Sequence, residues 1–273
     1  MPFCTLYRMA VAMNEMIGDL RAESADLERL LVPGAWAVPT PAAGWNVRDQ
    51  ITHLAWFDDA AVRAVTEPDA FREEVRASLA EGLDTDRLVR ERGSLPGEEV
   101  REWFGAARRR MTEVLSSADP AARIPWYGPD MGLVSFTTAR LMETWAHGQD
   151  VADGLAAAGH DGTRVPTDRL RHVAQIGVRA LPWSFSVHGR SRPDVPVRVE
   201  LTLPSGAPWT AGPEDAADLV RGTALDFCLV VTQRRHPDDV NLAVSGPVAE
   251  EWISIAQAFA GPPGAGRRPG QFT

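Results

Sequence analysis

The chain has 273 residues and carries 28 Lys+Arg against 37 Asp+Glu, so its formal net charge at pH 7 is −9. The sequence contains no lysine, which excludes a Schiff-base lysine, a pyridoxal phosphate anchor and the lysine of a phosphate-binding loop. The length favours two modest domains, and the acidic balance disfavours nucleic acid as the main partner.

The first 160 residues are predicted to form four long helices. Residues 5–31 repeat apolar side chains every three or four positions, which is typical of an amphipathic helix. A stretch rich in Pro and Gly ends it, and a second helix begins at Asn46, an N-cap followed three residues later by Asp49. Further helices are expected over residues 71–79, 96–115 and 135–155. Four long helices with a long middle connection favour a four-helix bundle over residues 1–160.

The sequence after Gly162 mixes helical and strand patterns. Residues 195–203 (VPVRVELTL) alternate apolar and polar side chains, as a half-buried strand does. Thr223, with Asp226 at the third position, is predicted to cap a helix. The other elements expected are helices over 167–181 and 247–259 and strands over 218–221 and 241–245. We therefore expect a small α+β domain over residues 161–262 and a disordered tail over 263–273.

A candidate metal site lies on the fourth predicted helix. Glu143 and His147 are four residues apart, so their Cβ atoms should lie about 5–6 Å from each other and both side chains can reach one metal ion. His53 lies on an apolar face of the second helix and is a plausible third ligand. Two His and one Glu with an open fourth position form a catalytic zinc pattern. The alternative interpretations are a solvated face for the fourth helix and a satisfied core histidine for His53.

Two aspartates are candidates for supporting the ligands. Asp49 lies one turn before His53, and Asp150 lies one turn after His147. Each is predicted to orient its neighbouring ring or to act as a general base. For Asp49 the alternative is a charge that stabilises the start of the helix.

Arginine is the residue type left to recognise an anionic group, because its forked donors suit carboxylates. The candidates are Arg140 on the fourth helix and Arg234 in the second half of the chain. The alternatives are an intrahelical ion pair for Arg140 and a solvated helix end for Arg234. Trp56 is a candidate for lining the binding pocket, with a core position as its alternative.

The two cysteines, Cys4 and Cys228, lie too far apart in sequence to indicate a disulfide framework, which favours a reducing compartment. No apolar run approaches the ~20 residues that span a bilayer. We expect a cytoplasmic protein without a membrane partner, present as a monomer or a homodimer.

Two segments, GWNVRDQITHLAWFDDAA (44–61) and ARLMETWAHGQDVADG (139–154), resemble the DinB-like metal-binding superfamily. The closer resemblance is to the mycothiol-dependent maleylpyruvate isomerase family. In that family the first segment carries one metal-binding His and the second carries the Glu and the other His. These positions correspond here to His53, Glu143 and His147, with no departure. The segments 222–235 and 242–261 resemble the sterol-carrier-like α+β domain of the same family.

The resemblance implies an enzyme with a DinB-like four-helix bundle and a C-terminal sterol-carrier-like α+β domain. It implies zinc, or another divalent metal, and a low-molecular-weight thiol such as mycothiol as cosubstrate. The thiol would add to a small electrophile, so that the enzyme acts as a thiol S-transferase or a cis–trans isomerase. Two alternatives stay open: a zinc-dependent hydrolase or lyase that uses metal-activated water, and a non-catalytic regulatory protein that binds a metal or ligand.

Overall fold

The structure is a computed structural model that describes residues 3–82, 85–264 and 266–272. Within these ranges the side chains of residues 3–11, including Cys4, and of residue 88 are not described. The chain divides into two units, Met1–Arg164 and Val165–Thr273. The first is helical and the second mixes helices with a sheet, so the predicted fold class is confirmed.

The first unit is built on four long helices. These are α1 (Phe3–Glu28), α2 (Val47–Thr66), α5 (Gly97–Ser117) and α6 (Leu133–Ala157). Both α1 and α2 pack against α5 and α6, which confirms the predicted four-helix bundle. The shorter elements are α3 (Pro68–Ala80), α4 (Thr85–Glu91) and an antiparallel pair of two-residue strands, β1 (Arg123–Ile124) and β2 (Met131–Gly132). Neither α4 nor the strand pair was predicted, because each is too short to show a periodic pattern.

The start of α2 is set by its cap and by the loop before it. The Asn46 side chain accepts from the Asp49 amide at 3.1 Å, and the Asp49 carboxylate accepts from the Asn46 amide at 2.9 Å, as the predicted capping box requires. The preceding loop folds back on this turn, because the Val47 amide donates to the Val38 carbonyl at 3.0 Å. The loop and the first turn of α2 are therefore held together.

Apolar side chains from the loop and the long helices form one core. The fully buried members of α2 in this core include Ile51 and Leu54, which lie on the helix face directed toward α5 and α6. Burying each such side chain stabilises the fold by about 1.5–3 kcal/mol. The cluster comprises Leu27, Leu30, Leu31, Ala35, Val38, Val47, Ile51, Leu54, Ala55, Val100, Phe104, Val151, Ala152 and Leu155.

A buried ion pair connects all four long helices. Asp58 of α2 is fully buried, and its carboxylate accepts from Arg108 of α5 at 2.6 and 3.2 Å and from Arg140 of α6 at 3.4 Å. Arg108 also donates to Ser24 of α1 at 2.8 Å and to Thr144 of α6 at 2.9 Å. Because these groups are removed from water, each depends on the others for its hydrogen bonds.

The next residue, Asp59, lies in a different environment. Its side chain is 28% exposed and accepts from Arg110 at 2.7 Å and from the Trp103 indole at 2.7 Å. Successive residues of a helix point about 100° apart, so only Asp58 enters the core. The two neighbouring aspartates therefore provide a matched comparison between a buried and a surface ion pair.

The second unit contains a four-stranded sheet. Its order is β4–β3–β5–β6, with β3 (Val197–Thr202) parallel to β5 (Asp218–Thr223) and antiparallel to β4 (Pro208–Ala211). The edge strand β6 (Leu242–Ser245) pairs antiparallel with β5. Its helices are α7 (Leu170–Arg179), α8 (Leu181–Val187), α9 (Ala224–Val231) and α10 (Pro247–Ile255).

Several boundaries in the second unit differ from the expected ones. The helix expected over 167–181 ends at Arg179, and α8 begins with Pro182 in its first turn, because proline interrupts a continuous helix. The closing helix ends at Ile255, earlier than expected, and β4 was not predicted. The Thr223 cap is confirmed, since its hydroxyl accepts from the Asp226 amide at 3.0 Å.

The disorder expected for residues 263–273 stays a prediction. The described tail residues do make contacts: the guanidinium carbon of Arg235 lies 4.3 Å from the centre of the Phe272 ring. The Gly270 amide also donates to the Asp239 carboxylate at 2.7 Å. Among the residues that the structure describes, no helix is both long enough and apolar enough to cross a membrane.

We expect Asp58→Ala to lower the free energy of unfolding by about 3–5 kcal/mol, because it leaves two buried guanidinium groups without their carboxylate. Asp59→Ala should cost about 1–2 kcal/mol, since it removes a surface ion pair and one hydrogen bond. Urea unfolding followed by circular dichroism measures both. Asp58→Asn provides a milder variant if Asp58→Ala does not fold. Equal losses of stability at positions 58 and 59 would contradict the view that the buried ion pair of Asp58 contributes more than the surface pair of Asp59.

Candidate metal centre

The three ligands expected from the sequence lie together in the first unit. His53 comes from α2, and Glu143 and His147 come from successive turns of α6. The Oε2 atom of Glu143 lies 3.2 Å from Nε2 of His147 and 3.9 Å from Nε2 of His53. All three candidate ligand atoms lie within 4.8 Å of one another. The α2–α6 contact therefore completes the three-residue cluster.

The geometry and donor types of this cluster fit one divalent metal ion. In a tetrahedral zinc site with bonds of about 2.1 Å, two ligand atoms lie ~3.4 Å apart. The two distances from Glu143, 3.2 and 3.9 Å, are close to that spacing. Two imidazoles and one carboxylate are also a set that zinc prefers, with one coordination position left over.

Burial prepares His53 and Glu143 for metal binding. Removal from water, assisted by the nearby His147, lowers the pKa of His53 from 6.5 to about 4. Burial acts to raise the pKa of Glu143, but its interactions with His147 and His53 outweigh this effect and hold that pKa well below its usual value. At neutral pH His53 is therefore neutral and Glu143 is ionised, as metal ligands must be.

One ring nitrogen of His147, Nδ1, is directed away from Glu143 and contacts a residue that was not predicted to belong to the site. This Nδ1 lies 2.5 Å from Oε1 of Gln50, a fully buried residue of α2. Gln50 in turn donates from Nε2 to the Thr40 hydroxyl at 2.8 Å. The available sequence signal was a polar residue on the apolar face of α2, three positions before His53.

The two aspartates proposed as supporting groups lie in different surroundings. The Asp49 carboxylate belongs to the capping box, and Nδ1 of His53 has no hydrogen-bond partner among the described residues. In this structure Asp49 therefore makes no hydrogen bond to Nδ1 of His53, because its carboxylate is directed to the helix start. Asp150 is buried in α6. The catalytic roles of Asp49 and Asp150 stay predictions.

Aromatic rings surround the two histidines. The Trp45 ring stacks on His147 with centroids 6.0 Å apart and lies 5.3 Å from His53. The centre of the Phe57 ring lies 4.6 Å from that of His53. The Trp45 indole donates to Asp86 of α4 at 2.8 Å, which fixes that ring. The ligands therefore face a largely apolar surrounding.

Trp56 and Arg140 lie one layer further from the ligands. Trp56 packs edge-on against Phe57 at 4.7 Å. The Arg140 guanidinium pairs with Asp58 and lies 5.8 Å from the centres of the Phe57 and Trp126 rings. The structure thus gives Arg140 a partner in the core, and the binding roles of Arg140 and Trp56 stay predictions.

Arg234 belongs to the second unit, where its Nη1 donates to the Thr232 carbonyl at 2.6 Å. Its neighbours Arg235 and His236 line a cavity of about 590 Å³ in that unit, together with Arg267 and Arg268 of the tail. The predicted role of Arg234 in binding an anionic group stays a prediction.

Comparisons with known proteins agree with the two-part organisation. A family model described as the mycothiol maleylpyruvate isomerase N-terminal domain matches residues 17–152, which include all three candidate ligands. A model described as wyosine base formation matches residues 193–244. Two uncharacterized proteins, from two strains of Mycobacterium tuberculosis, are 44% identical over 256 residues, covering 92% of this chain and 97% of theirs.

Solved structures share the fold. Crystal structures of the mycothiol-dependent maleylpyruvate isomerase and of a histidine-to-alanine mutant of it align with TM-scores of 0.54 and 0.53. Each alignment covers 85% of this chain and 92% of the other, at 15% identity. At that identity the likeness concerns the fold alone.

The lowered pKa of His53 predicts a pH-dependent stability of the metal-free protein. Between pH 6.5 and 4 the unfolded chain takes up a proton on His53 that the folded chain does not. The free energy of unfolding should therefore fall as the pH falls through this window, by at most about 1.4 kcal/mol per pH unit from this residue.

Urea unfolding at pH 7, 6 and 5 in the presence of a chelator measures this slope. His53→Gln should flatten it, and His160→Gln, which alters an exposed histidine, should leave it unchanged. The same slope in His53→Gln and in the unaltered protein would show that His53 is not its source.

Proposed function

The chain belongs to the mycothiol maleylpyruvate isomerase family, and from this premise we propose that it is a metal-dependent enzyme acting through a low-molecular-weight thiol. The observation that carries the proposal is the cluster of His53, Glu143 and His147, whose ligand atoms lie within 4.8 Å of one another. The substrate in this proposal is a small electrophile, and the thiol is mycothiol or a molecule like it.

The cluster offers three protein ligands, which is the number found in catalytic zinc sites. When bound there, a divalent ion such as zinc would supply positive charge that favours the thiolate form of a neighbouring thiol. His53 enters this arrangement already neutral and Glu143 already ionised. The Trp45 and Phe57 rings lie against the two histidines and make their surroundings less polar, which strengthens electrostatic interactions there.

The thiol in this proposal comes from a small molecule. Cys228 is the one free cysteine among the residues whose side chains are described, and it is fully buried in the second unit. Burial raises the pKa of its thiol well above the usual value, so it is a poor source of thiolate. A cosubstrate thiol would supply the reactive thiolate that Cys228, the one cysteine whose side chain is described, does not offer.

The proposed reaction begins when the thiolate adds to an activated carbon–carbon double bond. The new carbon–sulfur bond forms as the π electrons move toward the activating carbonyl, and the former double bond can then rotate. Collapse of the adduct breaks the carbon–sulfur bond and returns the thiolate, so the net change is cis–trans isomerisation. Protonation of the adduct carbon and release would instead give the S-transfer product.

A metal and thiol-binding assay tests the proposal. We expect purified protein to hold close to one zinc per chain by mass spectrometry of the metal content, and to bind mycothiol only in the metal-loaded form. His147→Ala should lose at least tenfold in zinc affinity, because it removes one of three ligands. His160→Ala, at an exposed position, serves as the matched control.

Two results would contradict the proposal. If zinc is absent and His147→Ala changes neither metal content nor stability, the metal centre fails. If zinc is present but mycothiol, cysteine and glutathione all fail to bind, the thiol part fails and a metal-dependent hydrolase becomes the better assignment.

A further inference from the structure

We propose that a directed chain of hydrogen bonds, from the loop before α2 through Thr40 and Gln50, fixes the tautomer of His147. In this tautomer Nδ1 carries the proton and Nε2 presents its lone pair to Glu143 and His53. The consequence for metal affinity rests on the proposed metal centre, whereas the tautomer itself does not. Gln50 and Thr40 are therefore positioning residues for one ligand of that centre.

The chain of hydrogen bonds begins at the backbone carbonyl of Trp45, which can only accept. The Thr40 hydroxyl lies 2.9 Å from the backbone carbonyl of Trp45 and donates its single proton to it. With that proton used, the hydroxyl oxygen can only accept from its other neighbour, Gln50, at 2.8 Å. The Gln50 group that faces Thr40 must therefore be the amide Nε2, which donates.

The orientation of the amide decides the state of His147. Because Nε2 of Gln50 faces Thr40, its Oε1 faces Nδ1 of His147 at 2.5 Å. An amide oxygen only accepts, so Nδ1 must carry a proton, and in a neutral imidazole Nε2 is then unprotonated. That Nε2 lies 3.2 Å from the Glu143 carboxylate. Two electron-pair donors meet there, an arrangement that a cation between them stabilises.

Burial of Gln50 favours a single arrangement of these hydrogen bonds. Gln50 has no exposed surface, so water does not compete for its amide and an unmade hydrogen bond would carry the full desolvation cost. The loop is also held close to α6 at this point: a Cβ atom on Gly154 would lie 2.6 Å from the Pro39 carbonyl. The residue at 154 must therefore be small for Thr40 to keep its place.

The second histidine ligand differs. Nδ1 of His53 has no hydrogen-bond partner among the described residues, so no comparable contact selects its tautomer. A hydrogen bond to Nδ1 therefore orients the His147 ring, whereas the His53 ring has no such bond. Removal of such outer partners typically costs 10–100-fold in metal affinity.

Long-range proton–nitrogen NMR of the imidazole rings tests the proposal in the metal-free protein at pH 8. The His147 signals, assigned by their loss in His147→Ala, should show the Nδ1–H tautomer. Gln50→Leu should shift them toward the Nε2–H tautomer, and Gln50→Glu, which still accepts from Nδ1, should retain the original pattern. Thr40→Val gives a second, milder test, because the freed amide can rotate and a mixture should appear.

Zinc affinity, measured by competition with a chromophoric chelator, gives the second readout. We expect at least a tenfold loss in Gln50→Leu and no loss in Gln149→Leu, a matched control on α6 whose amide donates to Asp153. An Nε2–H tautomer in the unaltered protein, or an unchanged tautomer in Gln50→Leu, would overturn the proposal. If the tautomers are as expected but the protein binds no zinc, this inference is upheld and the proposed function fails.

Discussion

The contact between α2 and α6 is the constraint on which the candidate site depends. His53 is contributed by one helix and Glu143 and His147 by the other, so their ligand atoms can lie within 4.8 Å only if the helices pack closely. Close packing would normally exclude polar groups from such an interface. Here the polar groups are retained because each is satisfied by another: Gln50 by His147 and Thr40, and Asp58 by two arginines.

These two polar clusters occupy the same helix pair but perform different tasks. The Asp58 cluster reaches all four long helices and holds the bundle in one arrangement. The cluster of His53, Glu143 and His147 instead brings three candidate metal-ligand atoms within 4.8 Å of one another. Aromatic rings lie against the two histidines, so the candidate site combines a partly apolar surrounding with three protein ligands, which leaves one position of a tetrahedral metal site open.

Much of this organisation could be predicted from the sequence, and the missing part has a physical cause. The bundle, the α2 cap and the Glu143–His147 pair follow from local spacing, because each depends on residues at most one or two turns apart. Gln50 and His147 are 97 positions apart, and nothing in the local pattern shows that they meet. Asp49 illustrates the converse. Its spacing from His53 would allow a hydrogen bond to that ring, but its carboxylate instead accepts from the Asn46 amide in the helix cap. In the second unit, the short strand β4 and the sheet order likewise depend on pairings between distant segments.

X-ray absorption at the zinc edge tests the central claim most directly, because it reports the atoms bound to the metal in solution. The account predicts a light-atom shell with imidazole scattering for the zinc-loaded protein. Addition of mycothiol should introduce one sulfur at ~2.3 Å, and His147→Ala should weaken the imidazole scattering because it removes one of the two imidazoles. A zinc shell that contains no imidazole, or one that stays free of sulfur at saturating thiol, would contradict the account.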